Sequence, residues 1–110
     1  MWRVEYLKEA LADLKKTDHS QRVKVVKKIN QVASNPLPVN EGGYGEPLGS
    51  RSRIRLSGYC KIKLQKQGLR VVYFQIRNDK TMRIVVVSAR ADDEVYLIAQ
   101  KRKQKGLYQK

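Results

Sequence analysis

The sequence predicts an α+β domain. The expected architecture is a small, mostly antiparallel four-stranded sheet with an N-terminal helical hairpin on one face and a C-terminal helix, in the order β-α-α-β-β-β-α. Three observations carry this. Apolar residues recur at helical spacing through the first third of the chain. The period then shortens to two across residues 56–73, where Cys60, Ile62 and Leu64 alternate with Lys61 and Lys63. Turn signals at Gln67-Gly68 and Asn78-Asp79 separate runs rich in β-branched and aromatic residues.

Trp2, Val4 and Tyr6 alternate with Arg3 and Glu5, which suggests a short opening strand. From Leu7 the period changes, and Leu7, Leu11 and Leu14 share one helical face. Thr17-Asp18-His19-Ser20 breaks that helix and offers caps for a second one over residues 20–33, with Val25, Val26, Ile29 and Val32 inward. Pro36 stops it, because the residue before a proline is biased away from helix. Residues 35–50 hold all three prolines and read as a loop. The spacing of Gly43, Gly45 and Gly49 fits neither the phosphate-loop pattern nor the dinucleotide fingerprint, and a strand follows where those motifs need a helix.

The hairpin over residues 56–76 is the centre of the chain. With an even loop, Arg70 comes up beside Lys61 and Lys63, while Val71 and Tyr73 join Ile62 and Leu64 on the other side. Residues 81–89 form the most continuously apolar strand and are expected inside the sheet. Asp92, Asp93 and Glu94 open the terminal helix at the positive end of its dipole, with Val95, Tyr96, Ile98 and Ala99 inward. Residues 101–110 are a basic tail expected to fray. The cationic face is expected to stay uncovered, since burying unpaired Lys61, Lys63 and Arg70 costs several kcal/mol each.

At 110 residues the chain is one domain, 1–110, and a 41% hydrophobic share supports a folded core. The formal net charge is +14, and between Pro47 and Asn78 there is no acid, only Arg51, Arg53, Arg55, Lys61, Lys63, Lys66, Arg70 and Arg77 among charged residues. Charge this one-sided points to a polyanionic partner. Membrane attachment is disfavoured, because no basic amphipathic helix with an exposed apolar face is evident. The first residues lack the apolar run of a signal peptide, so the expected location is cytoplasmic. Cys60 falls on the apolar side of its strand and reads as core. His19, the one histidine, sits in a capping turn, and no Cys/His cluster has metal-ligand spacing. No metal or other cofactor is expected.

What remains is cationic chemistry. Two lysines separated by one residue on a strand root their side chains roughly 7 Å apart. Repulsion among clustered ammonium groups favours release of a proton, so one can serve as a base while its neighbours stabilise phosphoryl charge. The plainer alternative is that they only grip phosphates.

The set Gly58-Tyr59-Cys60-Lys61-Ile62-Lys63-Leu64, then Gly68-Leu69-Arg70-Val71-Val72-Tyr73, then Arg90 and Glu94-Val95-Tyr96, resembles the RelE branch of the RelE/ParE superfamily of bacterial toxins. The resemblance covers nearly the whole chain. It implies a ribosome-dependent, metal-independent endoribonuclease that cuts mRNA in the ribosomal A site by attack of the ribose 2′-hydroxyl on the neighbouring phosphate. Carried over residue by residue, Lys61 and Lys63 are candidate general base and phosphate contacts. Arg70 stabilises charge on the scissile phosphate, Arg90 stabilises the transition state or protonates the leaving group, and Tyr96 orients the nucleotide. The segment between Ser88 and Arg90 is two residues shorter than in the best-known members. Arg51, Arg53, Arg55 and Lys66 are expected to contact RNA, the arginine run suiting ribosomal RNA better than chemistry.

The implied partners are mRNA and ribosomal RNA on the ribosome and a cognate antitoxin, which the charge predicts to be acidic. Two other functions compete. A ParE-type poison of DNA gyrase shares the fold, and a non-catalytic nucleic-acid-binding module shares the charge.

Overall fold

The chain opens with β1 (Arg3–Tyr6), α1 (Lys8–Lys16) and α2 (His19–Val32), the order and nearly the bounds expected. The computed structural model describes residues 1–48, 50–51, 54–55, 58–89 and 92–107. Asp18 makes the break between the helices. Its carboxylate accepts from the Gln21 backbone N–H at 2.9 Å and so caps α2. Arg22 folds back one turn and donates to the carbonyls of Leu14, Lys15 and Thr17, which satisfies the end of α1.

Residues 35–50 are more than a loop. Val39–Glu41 makes a 3-10 turn, and Glu46–Pro47 forms a short strand, β2. Beyond it, β3 (Ser50–Arg51) and β4 (Ile54–Arg55) pair as a small separate hairpin. Gly43 and Gly45 serve close packing, in line with the rejection of a nucleotide loop. A Cβ on Gly45 would stand 2.3 Å from the Tyr73 hydroxyl and 2.9 Å from the Cys60 sulfur, so only glycine lets the backbone lie there. The Pro36 carbonyl accepts from Tyr73 Oη at 2.7 Å and Gln75 Nε2 at 2.8 Å, tying the segment to the sheet.

The main strands are β5 (Tyr59–Leu64), β6 (Leu69–Ile76) and β7 (Thr81–Ser88), and α3 (Asp92–Leu107) closes the chain. The β5–β6 loop contains a 3-10 turn, Gln65–Gln67, and Gly68 at φ +64°. It spans four residues, so Lys63 faces Arg70 across the ladder and the even-loop register holds. The sheet has five strands in the order β1-β7-β6-β5-β2, one more than expected, and β1 lies parallel to β7 while the other pairs are antiparallel. The extra strand has two residues, too few to leave a periodic trace. The parallel edge is allowed because β1 and β7 are far apart in sequence and no hairpin dictates their direction.

Each sheet face has its own core. Ala10, Leu14, Val25, Ile29 and Val32 from the helical hairpin pack on Cys60, Ile62, Leu64, Val71, Tyr73, Met82 and Ile84. On the opposite face Val95, Tyr96 and Ala99 of α3 pack on Tyr59, Val72, Val85 and Val86. The expectation of an uncovered cationic face is therefore corrected: α3 lies across part of it. The reason is visible in β7. A bulge opposite Val72 and Tyr73 turns both Val85 and Val86 toward α3, and burying that apolar surface outweighs leaving the face bare. The helix continues to Leu107, into the stretch expected to fray.

Candidate active site

Strand alternation puts Tyr59, Lys61 and Lys63 of β5 on the α3 side of the sheet. Register puts Arg70 of β6 directly opposite Lys63, and Val72 opposite Lys61. The three expected cations thus share a face, but in three different environments. Lys63 is exposed and Arg70 half-buried, and both line a shallow cleft of about 170 Å³ at the end of the hairpin.

Lys61 departs from expectation. It is only 8% exposed. Its ammonium donates to the Tyr96 hydroxyl at 2.9 Å and lies 3.7 Å from a Glu46 carboxylate oxygen. The same nitrogen stands 5.6 Å from the centre of the Tyr96 ring. A buried ammonium needs such company, since desolvation otherwise forbids it. Tyr96 is itself 2% exposed, so it joins the core packing of α3 to a polar contact with the site.

Glu46 was missed by sequence reasoning. It sits fifteen positions before Lys61 in a stretch read as loop, and only the β2–β5 pairing, with Glu46 opposite Lys61, brings them together. Its place as the last acid ahead of an acid-free basic run was the available signal. Lys66 is exposed on the turn after β5. Arg51 and Arg55 belong to the β3–β4 hairpin, while Arg53 and the candidate Arg90 lie outside the described residues.

The other ionisable groups near this face do not invite nucleophilic chemistry. Burial pushes the Tyr59 phenol up to about 12. Burial also raises the Cys60 thiol, which lies in the opposite core, so it stays a packing group as expected. Among the described residues, no three of His, Cys, Asp and Glu come together as metal ligands. None of the helices there is long and apolar enough to cross a membrane.

No protein-family model and no curated protein matches the sequence. Solved structures do. The isolated E. coli RelE toxin superposes with a TM-score of 0.67 at 24% identity, over 94% of this chain and 99% of that one. An arginine-substituted form of the same toxin in the free state gives 0.73 at 25%, over 92% and 96%. The fold is that of RelE. A chain of the RelBE2 toxin-antitoxin complex from Mycobacterium tuberculosis also matches, with a TM-score of 0.64 at 24% identity over 81% of this chain and 98% of that one. The RelE fold accounts for the helical hairpin on one face, the strand bearing Lys61 and Lys63, and the C-terminal helix bearing Tyr96. Nearly the full length of each of these solved chains is spanned.

Proposed function

We propose that this chain is the toxin of a toxin-antitoxin pair and a ribosome-dependent endoribonuclease that cuts mRNA in the A site. The observation that carries the reading is the joining of Lys61, Lys63 and Arg70 on one face of paired strands, with Tyr96 of α3 hydrogen-bonded to Lys61. Two cations in a cleft beside a third, fixed cation suit a phosphodiester, whose charge grows when a fifth oxygen approaches phosphorus.

In this reading the exposed Lys63, in its neutral form, takes the proton from the ribose 2′-hydroxyl. The 2′-oxygen bonds to phosphorus, the bond from phosphorus to the 5′-oxygen breaks, and a 2′,3′-cyclic phosphate remains. Arg70 neutralises charge on the equatorial oxygens. Lys61, held by Tyr96 and Glu46, supplies a positioned charge from beneath. Arg90, assigned by resemblance alone, serves the leaving 5′-oxygen. The protein's own cations do the work a metal does elsewhere. Contacts to RNA by Arg51, Arg53, Arg55 and Lys66 belong to the same proposal.

The RelE neighbour solved with its antitoxin supports an antitoxin for this chain too. The net charge of +14 favours an acidic segment as that partner. The deciding experiment incubates the purified chain with programmed ribosomes whose A-site codon is known, maps the cut ends and repeats the incubation with naked mRNA. Cuts confined to the A site, with cyclic phosphate ends and only on ribosomes, are expected. Intact mRNA together with inhibited gyrase supercoiling replaces this reading with the ParE type. Intact mRNA with salt-sensitive binding alone leaves a binding module.

A further inference from the structure

Helix α2 contains Arg22, Lys24, Lys27 and Lys28 and no acid, whereas α1 mixes Lys8, Lys15 and Lys16 with Glu9 and Asp13. Lys24 stands one turn from both Lys27 and Lys28, and such like-charge pairs each cost a helix a few tenths of a kcal/mol. Folding tolerates repulsion that one acid would relieve. The three lysines are exposed, and they line a groove of about 400 Å³ that runs from α2 to the β5–β6 turn. Lys63 and Lys66 wall its other side, with Gln31, Gln65 and Gln67 between.

We propose that this groove is a docking surface for the phosphate backbone of ribosomal RNA, adjoining the catalytic cleft, with which it shares Lys63, Leu64 and Gln65. The wall chemistry selects the ligand class. A protein partner needs apolar or aromatic anchors, and protein interfaces are depleted of lysine. Here Leu64 is the one apolar lining residue. Nucleic-acid interfaces are polar and strongly basic, and glutamine amides suit sugar and phosphate oxygens. The choice of ribosomal RNA as the source rests on the proposed function.

The test measures affinity of the full chain for purified ribosomes without mRNA, over a series of salt concentrations. It compares wild type with Lys24→Gln/Lys27→Gln/Lys28→Gln and with a control of equal charge change, Lys8→Gln/Lys15→Gln/Lys16→Gln. Each phosphate contact contributes about 0.7 to 0.9 to the slope of log affinity against log salt. The α2 variant is expected to show a slope shallower by about 2 and at least roughly 10-fold weaker binding near physiological salt. The control keeps the wild-type slope, and the charge-conserving Lys24→Arg/Lys27→Arg/Lys28→Arg variant restores it. Equal slopes in all variants, equal losses in both glutamine variants, or no ribosome binding by wild type each overturn the proposal. A-site cleavage with an unchanged α2 slope removes the groove and spares the nuclease. A reduced slope without any cleavage does the reverse.

Discussion

Lys61 carries its charge beneath a helix, within reach of the Tyr96 phenol and the Glu46 carboxylate. Such a group exchanges stability for electrostatic function, because an apolar side chain of similar length fills the same space without desolvation cost. Lys61→Met removes the cost of a buried charge but leaves the buried Tyr96 hydroxyl without that donor, so the melting temperature is expected to move by only a few degrees while cleavage slows by about 10²-fold or more. Melting curves and single-turnover cutting on ribosomes, done on one preparation, check this. A large loss of stability means that the ammonium is structural. Lys63→Ala and Arg90→Ala are each expected to slow cutting by about 10²-fold or more, the scale for removing a positioned charge or acid/base group. Lys63 is exposed, so its variant should melt like wild type; wild-type cutting rates in both would remove the site assignment.

At the scale of elements, the placement of α3 decides whether Tyr96 reaches Lys61. Strand β1 pairs with β7 only as far as Ile84, which leaves the next stretch of β7 without a strand neighbour on that side. Asp13 of α1 fills the gap. Its carboxylate accepts from the Val87 N–H at 3.0 Å and from the Arg102 guanidinium of α3 at 2.5 and 3.1 Å. Arg102 also donates to the Val85 carbonyl at 2.9 Å. Both side chains of the pair are largely buried. Removing one partner strands the other's charge, so Arg102→Ala should cost about 3 kcal/mol. Denaturant unfolding measures the loss, and hydrogen exchange should show the amides of α3 opening ahead of those in β6. If α3 keeps its protection, the clasp is not what holds it. Cleavage should fall with the loss of α3.

At the scale of the whole molecule, two features set behaviour in solution. The charge of +14 governs partners. Buried tyrosines govern the alkaline limit. Burial raises the Tyr59 phenol from 10.0 to about 12 and raises Tyr73, hydrogen-bonded to the Pro36 carbonyl, as well. The folded state holds these protons longer than the unfolded chain does. Their contribution is complete below about pH 10 and is lost as pH climbs toward 12 at Tyr59. Melting temperatures from pH 8 to 12 should hold until about pH 10 and then fall, with phenolate absorbance at Tyr59 and Tyr73 appearing together with unfolding. Ionisation of these phenols before unfolding would contradict it.

Local chemistry was enough to read the order of the main elements, the hairpin register and the shared face of Lys61, Lys63 and Arg70. Period, caps and turn residues act over a few positions, and each leaves its mark in the sequence beside the structure it makes. The two-residue strand β2, the parallel pairing of β1, the covering of the cationic face by α3 and the meeting of Glu46 with Lys61 were settled only when distant segments packed. Those outcomes depend on how much apolar surface Val72, Val85 and Val86 present together and on which carboxylate stands nearest a buried ammonium. Both are sums over neighbours that no stretch of the chain contains by itself.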